Sequence, residues 1–223
     1  MIELKNITKI YDLNKNDQVV ALKDINLSIN EGELIVLKGS SGSGKSTILS
    51  LIAALNKPTS GEVIVDNKKI SKLPDNFASI YRRDNIGFIF QKYNLIADLS
   101  VKENILLPLI PLNPDINELD EKLNLVMEKF QISHKKDTLV KNLSGGEQQR
   151  VAIARANVNS PKIIIADEPT ANLDEKLSLH FIDILRELKA MGKTIVVATH
   201  DPLFFDLDFV EREIQVNNGT ITI

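Results

Sequence analysis

A glycine-rich run at residues 39–47, which reads GSSGSGKST, constrains this chain more than any other segment. A short apolar strand is predicted just before it, at 33–37, and apolar residues with helical spacing follow it at 48–55. Glycines let the backbone wrap around an anion with its N–H groups turned inward, and the N-terminus of a helix adds the positive end of its dipole. The order of strand, loop and helix therefore predicts an α/β fold with a loop that cradles phosphates.

Each residue of this loop is a candidate for nucleotide binding. Lys45 can reach the β- and γ-phosphates, Ser46 can ligate Mg²⁺ through its hydroxyl, and Thr47 can bond the α-phosphate region. A glycine- and serine-rich turn that binds nothing is the alternative, and the flanking strand and helix argue against it. The predicted binding residues are Gly39, Ser40, Ser41, Gly42, Ser43, Gly44, Lys45, Ser46 and Thr47.

A second, acidic site is expected on a later strand, because a phosphate loop alone can bind a nucleotide but does not catalyse its reaction. The apolar run 163–166 ends in Asp167 and Glu168, at the carboxyl end of a predicted strand, where sites in open α/β sheets lie. Asp167 can hold Mg²⁺ through water, and Glu168 can act as general base on an attacking water. The alternative is that these carboxylates merely end a strand.

The rest of the chain alternates between strand and helix patterns, with one helical interruption from 91 to about 160. Strands are predicted at 2–7, 21–29, 62–66, 86–90, 163–166 and 194–199, and a hairpin at 213–223. Helices are predicted at 101–107, 116–130, 148–157 and 175–190, and the polar stretch 12–18 is predicted to be a loop. A length of 223 residues suits one domain with a subdomain.

The composition excludes several classes of protein. The net charge of −3 lacks the strong basic excess of a dedicated nucleic-acid binder, so no nucleic-acid partner is expected. The absence of cysteine rules out disulfides, cysteine–zinc sites and thiol nucleophiles. No run approaches the ~18 apolar residues that span a bilayer, and the first residues do not resemble a signal peptide. Any role at a membrane is therefore expected to depend on another subunit.

The stretch 143–150, LSGGEQQR, resembles the signature motif of ABC transporters. Together with the phosphate loop before it and the strand 163–168 after it, this motif makes the chain similar to ABC nucleotide-binding subunits over essentially its whole length. The resemblance implies the ABC ATPase form of the P-loop NTPase fold: a RecA-like α/β core with an antiparallel β subdomain and an α-helical insert. One domain, 1–223, is expected, with the core at 1–90 and 160–223 and the helical subdomain at 91–159.

The resemblance also implies roles for residues outside the phosphate loop. Tyr11 matches the aromatic residue that stacks on adenine, although an ordinary tyrosine at a strand end is the alternative. Gln91 matches the glutamine that meets Mg²⁺ and the attacking water, and residues 172–174, ending in Asp174, match the D-loop. His200 matches the switch histidine that contacts the γ-phosphate and orients Glu168. The implied catalytic residues are Glu168, His200 and Gln91, and the implied Mg²⁺ ligands are Ser46, Gln91 and Asp167.

In the family the signature residues bind the ATP of a second subunit rather than their own. Ser144, Gly145, Gly146 and Glu147 are therefore expected to contact nucleotide across a head-to-tail homodimer, in which ATP holds the two copies together. Hydrolysis then opens the dimer. The resemblance thus implies an ATP hydrolase that uses ATP and Mg²⁺ and works as a pair.

Within the superfamily, stretches such as 86–95 and 166–174 resemble the LolD/MacB/FtsE group, which serves macrolide and peptide export, antimicrobial-peptide resistance and lipoprotein release. A separate membrane permease is expected to dock near 91–111, where Tyr93, Leu95, Ile96 and Leu99 contribute to the surface or else pack the insert's own core. The chain is then cytoplasmic, at the inner face of the membrane. Alternatives are an FtsE-like regulator of cell division and, less favoured, a soluble ABC protein acting on DNA or ribosomes. Lys38, Asn157 and Ala171 depart from the group's usual residues.

Overall fold

The computed structural model describes residues 2–14, 17–112, 114–171 and 173–222. The strands are β1 (Ile2–Asn14), β2 (Asp17–Ile29), β3 (Leu34–Lys38), β4 (Ser60–Val65), β5 (Lys68–Lys69), β6 (Ile86–Ile89), β7 (Ile163–Asp167), β8 (Thr194–Thr199), β9 (Arg212–Asn217) and β10 (Thr220–Thr222). The α-helices are α1 (Lys45–Ile52), α2 (Asp75–Asn85), α3 (Val101–Leu106), α4 (Ile116–Lys129), α5 (Gly145–Asn157) and α6 (Glu175–Ala190). Short 3-10 helices lie at Ile70–Lys72, Leu107–Leu112, Ser133–Lys135, Val140–Asn142 and Pro202–Phe204.

A six-stranded sheet in the order β10-β9-β3-β8-β7-β6 forms the centre of the molecule. Its strands are parallel except β10, which pairs antiparallel with β9 as the predicted hairpin. The central strands are buried along almost their whole length because both faces are covered. On β3, Leu34 and Val36 pack in the cluster that contains α6, while Ile35 and Leu37 pack in the cluster that contains α1. The predicted α/β fold is confirmed.

A second, antiparallel sheet in the order β2-β1-β4-β5 covers the α1 side. The long hairpin of β1 and β2 corrects the predicted loop at 12–18, because 12–14 and 17–18 are strand and Asp12 pairs with Gln18. Lys15 and Asn16 lie outside the described residues. Asp12 and Gln18 are exposed while they pair with each other in the ladder, so a polar residue at these two positions is compatible with a strand.

Between β6 and β7, all the named elements in the described residues are helices. Two of the predicted helix starts are late: α1 begins at Lys45 and α5 at Gly145, each three residues before the apolar spacing sets in. Polar first turns explain both differences, since Ser144 and Glu147 form a reciprocal capping box at the start of α5. None of the helices in the described parts of the chain is long and apolar enough to cross a membrane.

Candidate active site

A cavity of about 410 Å³ lies beside the N-terminus of α1, where β3, β7 and β8 end next to one another. This edge of the sheet is where parallel α/β folds place their ligands. The cavity brings together residues that are separated by up to 200 positions in the sequence. Its walls are formed by Val19, Val20, Ala21, Ser41, Gly42, Ser43, Gly44, Lys45, Ser46, Thr47, Gln91, Glu168, His200, Asn218 and Gly219.

Lys45 lies at the centre of the phosphate loop. Its side chain is buried, and Nζ donates to the carbonyl of Gly39 at 2.6 Å and to that of Ser40 at 3.1 Å. Nζ also lies 3.3 Å from Oε1 of Glu168. These contacts place the ammonium between the loop and the carboxylate that follows β7. Gly39 and Ser40 themselves contribute carbonyls to this arrangement and do not line the cavity.

Gly44 occupies a position that no other residue type fits without strain. Its φ is +114°, and a Cβ built there would lie 2.8 Å from the carbonyl oxygen of Ala21. The close approach of β2 and the phosphate loop therefore requires the absence of a side chain. This contact explains why β2 lines the cavity although it belongs to the other sheet.

Ser46 lines the cavity, and Asp167 lies directly behind it as its hydrogen-bond partner. The Ser46 hydroxyl donates to Oδ1 of Asp167 at 2.9 Å, so the start of α1 and the end of β7 are joined directly. Burial raises the pKa of the Asp167 carboxyl, and the Ser46 hydrogen bond opposes that rise. A half-buried carboxylate with a raised pKa gains from a nearby cation, which lowers the cost of its charge.

Glu168 is held by hydrogen bonds from three donors on the neighbouring strand end. Its Oε2 accepts from the hydroxyl of Thr199 at 3.2 Å and from the backbone N–H of His200 at 3.3 Å. The Nδ1 of His200 lies 3.0 Å from each carboxylate oxygen. Glu168 has a positive φ of 44°, while its own N–H donates to the carbonyl of Ala198. The fold therefore fixes this carboxylate in a conformation that a non-glycine residue rarely adopts.

Gln91 and Tyr11 take different places relative to the cavity. Gln91 follows β6, is exposed, and lines the cavity, while its role toward Mg²⁺ and water remains a prediction. Tyr11 does not line it; its pairing partner across the hairpin, Val19, does. Lys9 Nζ lies 4.8 Å from the centroid of the Tyr11 ring. Tyr11 is thus next to the cavity wall, and its stacking on adenine remains a prediction.

The signature residues and Asp174 lie outside this cavity. Ser144 caps α5 by accepting from the N–H of Glu147, and the carboxylate of Glu147 accepts in return from the N–H of Ser144 at 2.8 Å. That backbone hydrogen bond, followed by the contact with Lys135, lowers the pKa of Glu147 to about 2. Gly145 is open on its outer side, and a Cβ on Gly146 would meet the side chain of Leu177 on α6.

Asp174 caps the start of α6, where its Oδ1 accepts from the N–H of Leu177 at 2.9 Å. It shares this region with the start of α5, because Gly146 packs beside the same leucine. Asn172, the first residue of the predicted D-loop, lies outside the described residues. The predicted site residues therefore fall into two groups: one around the cavity and one around the starts of α5 and α6.

Sequence reasoning missed the part of the cavity wall formed by the β9–β10 turn. Asn218 and Gly219 line the cavity, the N–H of Gly219 donates to the carbonyl of Ser43, and the carbonyl of Gly219 accepts from the N–H of Lys23. Gly219 has a φ of +76°, and a Cβ there would lie 2.8 Å from the carbonyl oxygen of Ala21. The Asn-Gly pair signalled the turn, but nothing in the sequence signalled what it packs against.

The chain matches a known protein family. A family model described as ABC transporter matches residues 22–171, which include the phosphate loop, the signature motif and Asp167. The chain belongs to the ABC transporter family. The predicted resemblance and the predicted ABC ATPase fold are therefore confirmed, and the chain is an ATP-binding and ATP-hydrolysing domain of that family.

Among relatives of this ABC transporter domain, the uncharacterized ABC transporter ATP-binding protein MJ0796 of Methanocaldococcus jannaschii is 44% identical over 99% of this chain and 95% of its own length. The macrolide export ATP-binding/permease protein MacB of Campylobacter jejuni is 41% identical over 99% of this chain. This chain spans 33% of the length of that MacB. A solved dimer of the MJ0796 cassette in a post-hydrolysis state with ADP and Pi superposes with a TM-score of 0.91 at 42% identity, covering 100% of this chain and 97% of that chain.

Proposed function

We propose that this ATPase domain drives a separate membrane permease of the export or mechanotransmission type, and that Glu168, His200 and Gln91 carry out hydrolysis in the cavity. The observation that carries the proposal is the position of Glu168, whose carboxylate contacts both Lys45 and His200 at the cavity wall. A carboxylate between a cation and an imidazole, beside a phosphate loop, suits the activation of water for attack on a phosphoryl group.

The phosphate loop binds the phosphates of ATP in this proposal. The N-terminus of α1 and the backbone N–H groups of residues 41–47 supply partial positive charge, and Lys45 supplies a full one. Lys45 is held at the carbonyls of Gly39 and Ser40, so its ammonium needs only a small movement to reach a phosphate. Tyr11, beside Val19, stacks on the adenine at the edge of the cavity.

Ser46 and Asp167 fit Mg²⁺, because a hydroxyl and a carboxylate 2.9 Å apart are the hard oxygen donors this ion prefers. Within the described ranges no group of three or more His, Cys, Asp and Glu side chains could hold a metal alone. That arrangement suits Mg²⁺, which keeps waters and phosphate oxygens as further ligands. Gln91 would add an amide oxygen as a ligand, and Asp167 would hold the ion through water. Bound Mg²⁺ supplies charge neutralisation on the phosphates.

Glu168 accepts a proton from the attacking water, and His200 orients it. An ionised carboxylate only accepts hydrogen bonds, so the Nδ1 of His200 carries the proton in the contact with Glu168. The backbone N–H of His200 and the Thr199 hydroxyl fix the second oxygen. This fixed orientation supplies the near-attack geometry on which rate depends.

The second group of site residues acts on the nucleotide of a second copy of the chain. Ser144, Gly145, Gly146 and Glu147 form a helix start away from their own cavity, with Asp174 near by, and a helix start suits a phosphate. Ser144 and Gly145 are exposed, Glu147 is partly buried and Gly146 is buried. The relative MJ0796 has been solved as a dimer. A head-to-tail homodimer would close each cavity with the partner's signature residues, and ATP would then hold the pair together.

The permease is proposed to dock near residues 91–111, on a groove of about 550 Å³ beside this segment. Its walls include Phe88, Phe90, Pro108, Pro111 and Arg155. The name of the MacB relative combines ATP-binding and permease functions in one protein, which supports such a partner here. The domain would then work in the cytoplasm, at the inner face of the membrane.

The apolar side chains of the docking segment divide between core and surface. Tyr93 is buried and Leu95 packs against the core, whereas Ile96 and Ile110 are exposed. Ile96 and Ile110 are therefore the apolar residues available to a permease in this proposal.

Glu168→Gln tests the proposal most directly. The amide cannot accept the proton of water, so hydrolysis is expected to fall at least ~10²-fold. ATP with Mg²⁺ should then shift the protein from monomer to dimer in size-exclusion chromatography, and EDTA should reverse the shift. Glu187→Gln, on the exposed side of α6, is the matched control and should leave both properties unchanged. A Glu168→Gln protein that hydrolyses ATP at the normal rate would show that another group is the base.

A further inference from the structure

Lys38 is the last residue of β3 and directly precedes the phosphate loop, yet it does not line the cavity. By strand alternation its side chain shares a face of the sheet with Leu34 and Val36, which are both fully buried. The Lys38 side chain is 32% exposed. A charge at the edge of an apolar face needs a partner to offset its loss of water.

The partner of Lys38 is Glu213 on β9. Lys38 Nζ lies 2.7 Å from Oε2 of Glu213, and the side chain of Glu213 is 19% exposed. The other carboxylate oxygen, Oε1, accepts from the backbone N–H of Asp206 at 2.6 Å. Lys38 Nζ also lies 5.1 Å from the centroid of the Phe205 ring, within the range of a cation–π contact. One ion pair thus holds two consecutive residues, 205 and 206.

Those two residues end the loop that begins at His200. At the other end of the loop, the carboxylate of Asp201 accepts from the hydroxyl of Thr170 at 2.7 Å. Thr170 lies two residues after Glu168, so this contact ties the loop to the β7 end of the site. The His200 loop is therefore fixed at both ends: by Asp201 near the histidine and by the Lys38–Glu213 pair at residues 205–206.

We propose that Lys38 is a positioning residue for hydrolysis, which acts through Glu213 and the loop 201–206 to keep His200 against Glu168. The proposal rests on the role of His200 given under the proposed function. Lys38 is one bond from Gly39, whose carbonyl binds Lys45, and its backbone pairs with that of Thr199. The strand that enters the phosphate loop thereby also sets the position of the loop after β8.

Lys38→Met removes the ammonium and keeps most of the aliphatic chain over Phe205. Glu213, which binds the N–H of Asp206, is then left half-buried without its cation, and Phe205 loses its cation–π contact. We expect the kcat for ATP hydrolysis to fall roughly tenfold, while the KM for ATP changes less than about twofold, because only the reacting geometry is disturbed. Amide hydrogen exchange of a peptide covering 201–207 should become faster.

Three further variants distinguish the proposed role of Lys38 from a general loss of folding. Lys38→Arg keeps the charge and the contact with Phe205, so it should restore kcat and slow exchange. Glu213→Gln weakens the contact between residues 38 and 213 by removing the negative charge, so it should also lower kcat. Lys122→Met removes a pair of equal length, 2.7 Å to Glu118 on α4, and should leave the kinetics unchanged.

Wild-type kcat in Lys38→Met, or a loss that Lys38→Arg does not restore, would overturn the inference. His200→Ala separates this result from the proposed function. If His200→Ala hydrolyses ATP normally, the role of His200 is wrong and the inference fails with it. If His200→Ala is impaired while Lys38→Met is normal, only the inference about Lys38 fails.

Discussion

His200 holds Glu168 through its ring and its backbone together: Nδ1 lies 3.0 Å from each carboxylate oxygen, and the N–H lies 3.3 Å from Oε2. The two residues follow adjacent parallel strands, β7 and β8, so the sheet itself sets their separation. The backbone contact is available to every residue type except proline, which has no N–H. Variants of His200 therefore separate the orientation supplied by the imidazole from the position supplied by the main chain.

His200→Ala is expected to lower kcat by about 10²-fold, because the carboxylate loses the donor that orients it toward water. ATP affinity should change little, since Lys45 and the loop amides are untouched. Steady-state ATPase rates and equilibrium ATP binding measure the two effects. His134→Ala, on the exposed 3-10 helix at Ser133–Lys135, is the control and should behave like the wild type. Equal losses in both variants would indicate unfolding.

Asp167→Asn is expected to stabilise the fold while it abolishes hydrolysis. Burial raises the pKa of Asp167 in the folded state, so the folded protein binds this proton more tightly than the unfolded chain. The free energy of unfolding contributed by this group is thus highest below its unfolded pKa of about 3.9 and falls as the pH rises through the folded pKa. Asparagine does not ionise, so the variant does not lose stability in this way as the pH rises.

The gain at pH 7 should be small, because solvent partly screens the carboxylate and the Ser46 hydrogen bond opposes the effect of burial. Urea unfolding at pH 5 and pH 8 without nucleotide measures it, and the gap between variant and wild type should be at least as large at the higher pH. ATPase activity should fall at least ~10²-fold. A variant less stable than the wild type at pH 8 would mean that the bond from Ser46 outweighs burial.

Gly219→Ala and Gly192→Ala form a matched pair. Their φ values are +76° and +77°, but a Cβ at 219 would lie 2.8 Å from the Ala21 carbonyl oxygen, whereas a Cβ at 192 meets nothing within 4 Å. Both variants should lose about 1 kcal/mol of stability from the left-handed backbone. Gly219→Ala should lose about 1–2 kcal/mol more from the clash.

The same pair separates stability from nucleotide binding. Gly219→Ala should raise the KM for ATP several-fold, because the turn moves away from Ser43, and Gly192→Ala should not. Thermal unfolding and ATPase titrations provide the two measurements. Equal stability and equal KM in the two variants would mean that β2 shifts to make room for the added methyl group at no cost in free energy.

Arg155→Lys should loosen the segment that follows Gln91. The guanidinium of Arg155 donates to the carbonyls of Tyr93 at 2.5 Å and Asn94 at 2.6 Å, and both of those residues have left-handed φ values, 58° and 50°. Lysine cannot serve both carbonyls with the same planar geometry, so a loss of about 1–2 kcal/mol in stability is expected.

Hydrogen exchange of a peptide covering 92–96 should increase in Arg155→Lys, and unfolding in urea should give the energy. Arg186→Lys, in an exposed pair with Asp208, is the control and should cost almost nothing. Unchanged exchange at 92–96 would show that the left-handed turn is stable by itself.

The sequence predicted those parts of the fold and site that depend on local patterns. The bounds of α6 and β8 were predicted to the residue, because each is a clean periodic run between turns. Ser46 and Asp167 were both predicted to hold Mg²⁺, and the fold brings the two side chains within hydrogen-bond distance of each other.

Features that depend on long-range packing were not predicted. The helix α2 was missed because its apolar residues are few, and it is held instead by contacts such as the Tyr81 hydroxyl on the Ile52 carbonyl. Gly219 closes the cavity from a turn more than 170 residues away from the phosphate loop. No local pattern encodes which loop a hairpin turn will touch.

The helix α5 carries Ser144 at its start and Arg155 near its end, and eleven residues of continuous helix set these about 16 Å apart. In a head-to-tail pair, the start of α5 would contact the partner's nucleotide. Arg155, near the other end, binds the segment that follows Gln91 of the same chain. Because α5 is a continuous helix, a movement of Ser144 at the partner's nucleotide would be transmitted to the segment that follows Gln91 in the helix's own cavity. The two cavities of such a pair would then be mechanically coupled through α5.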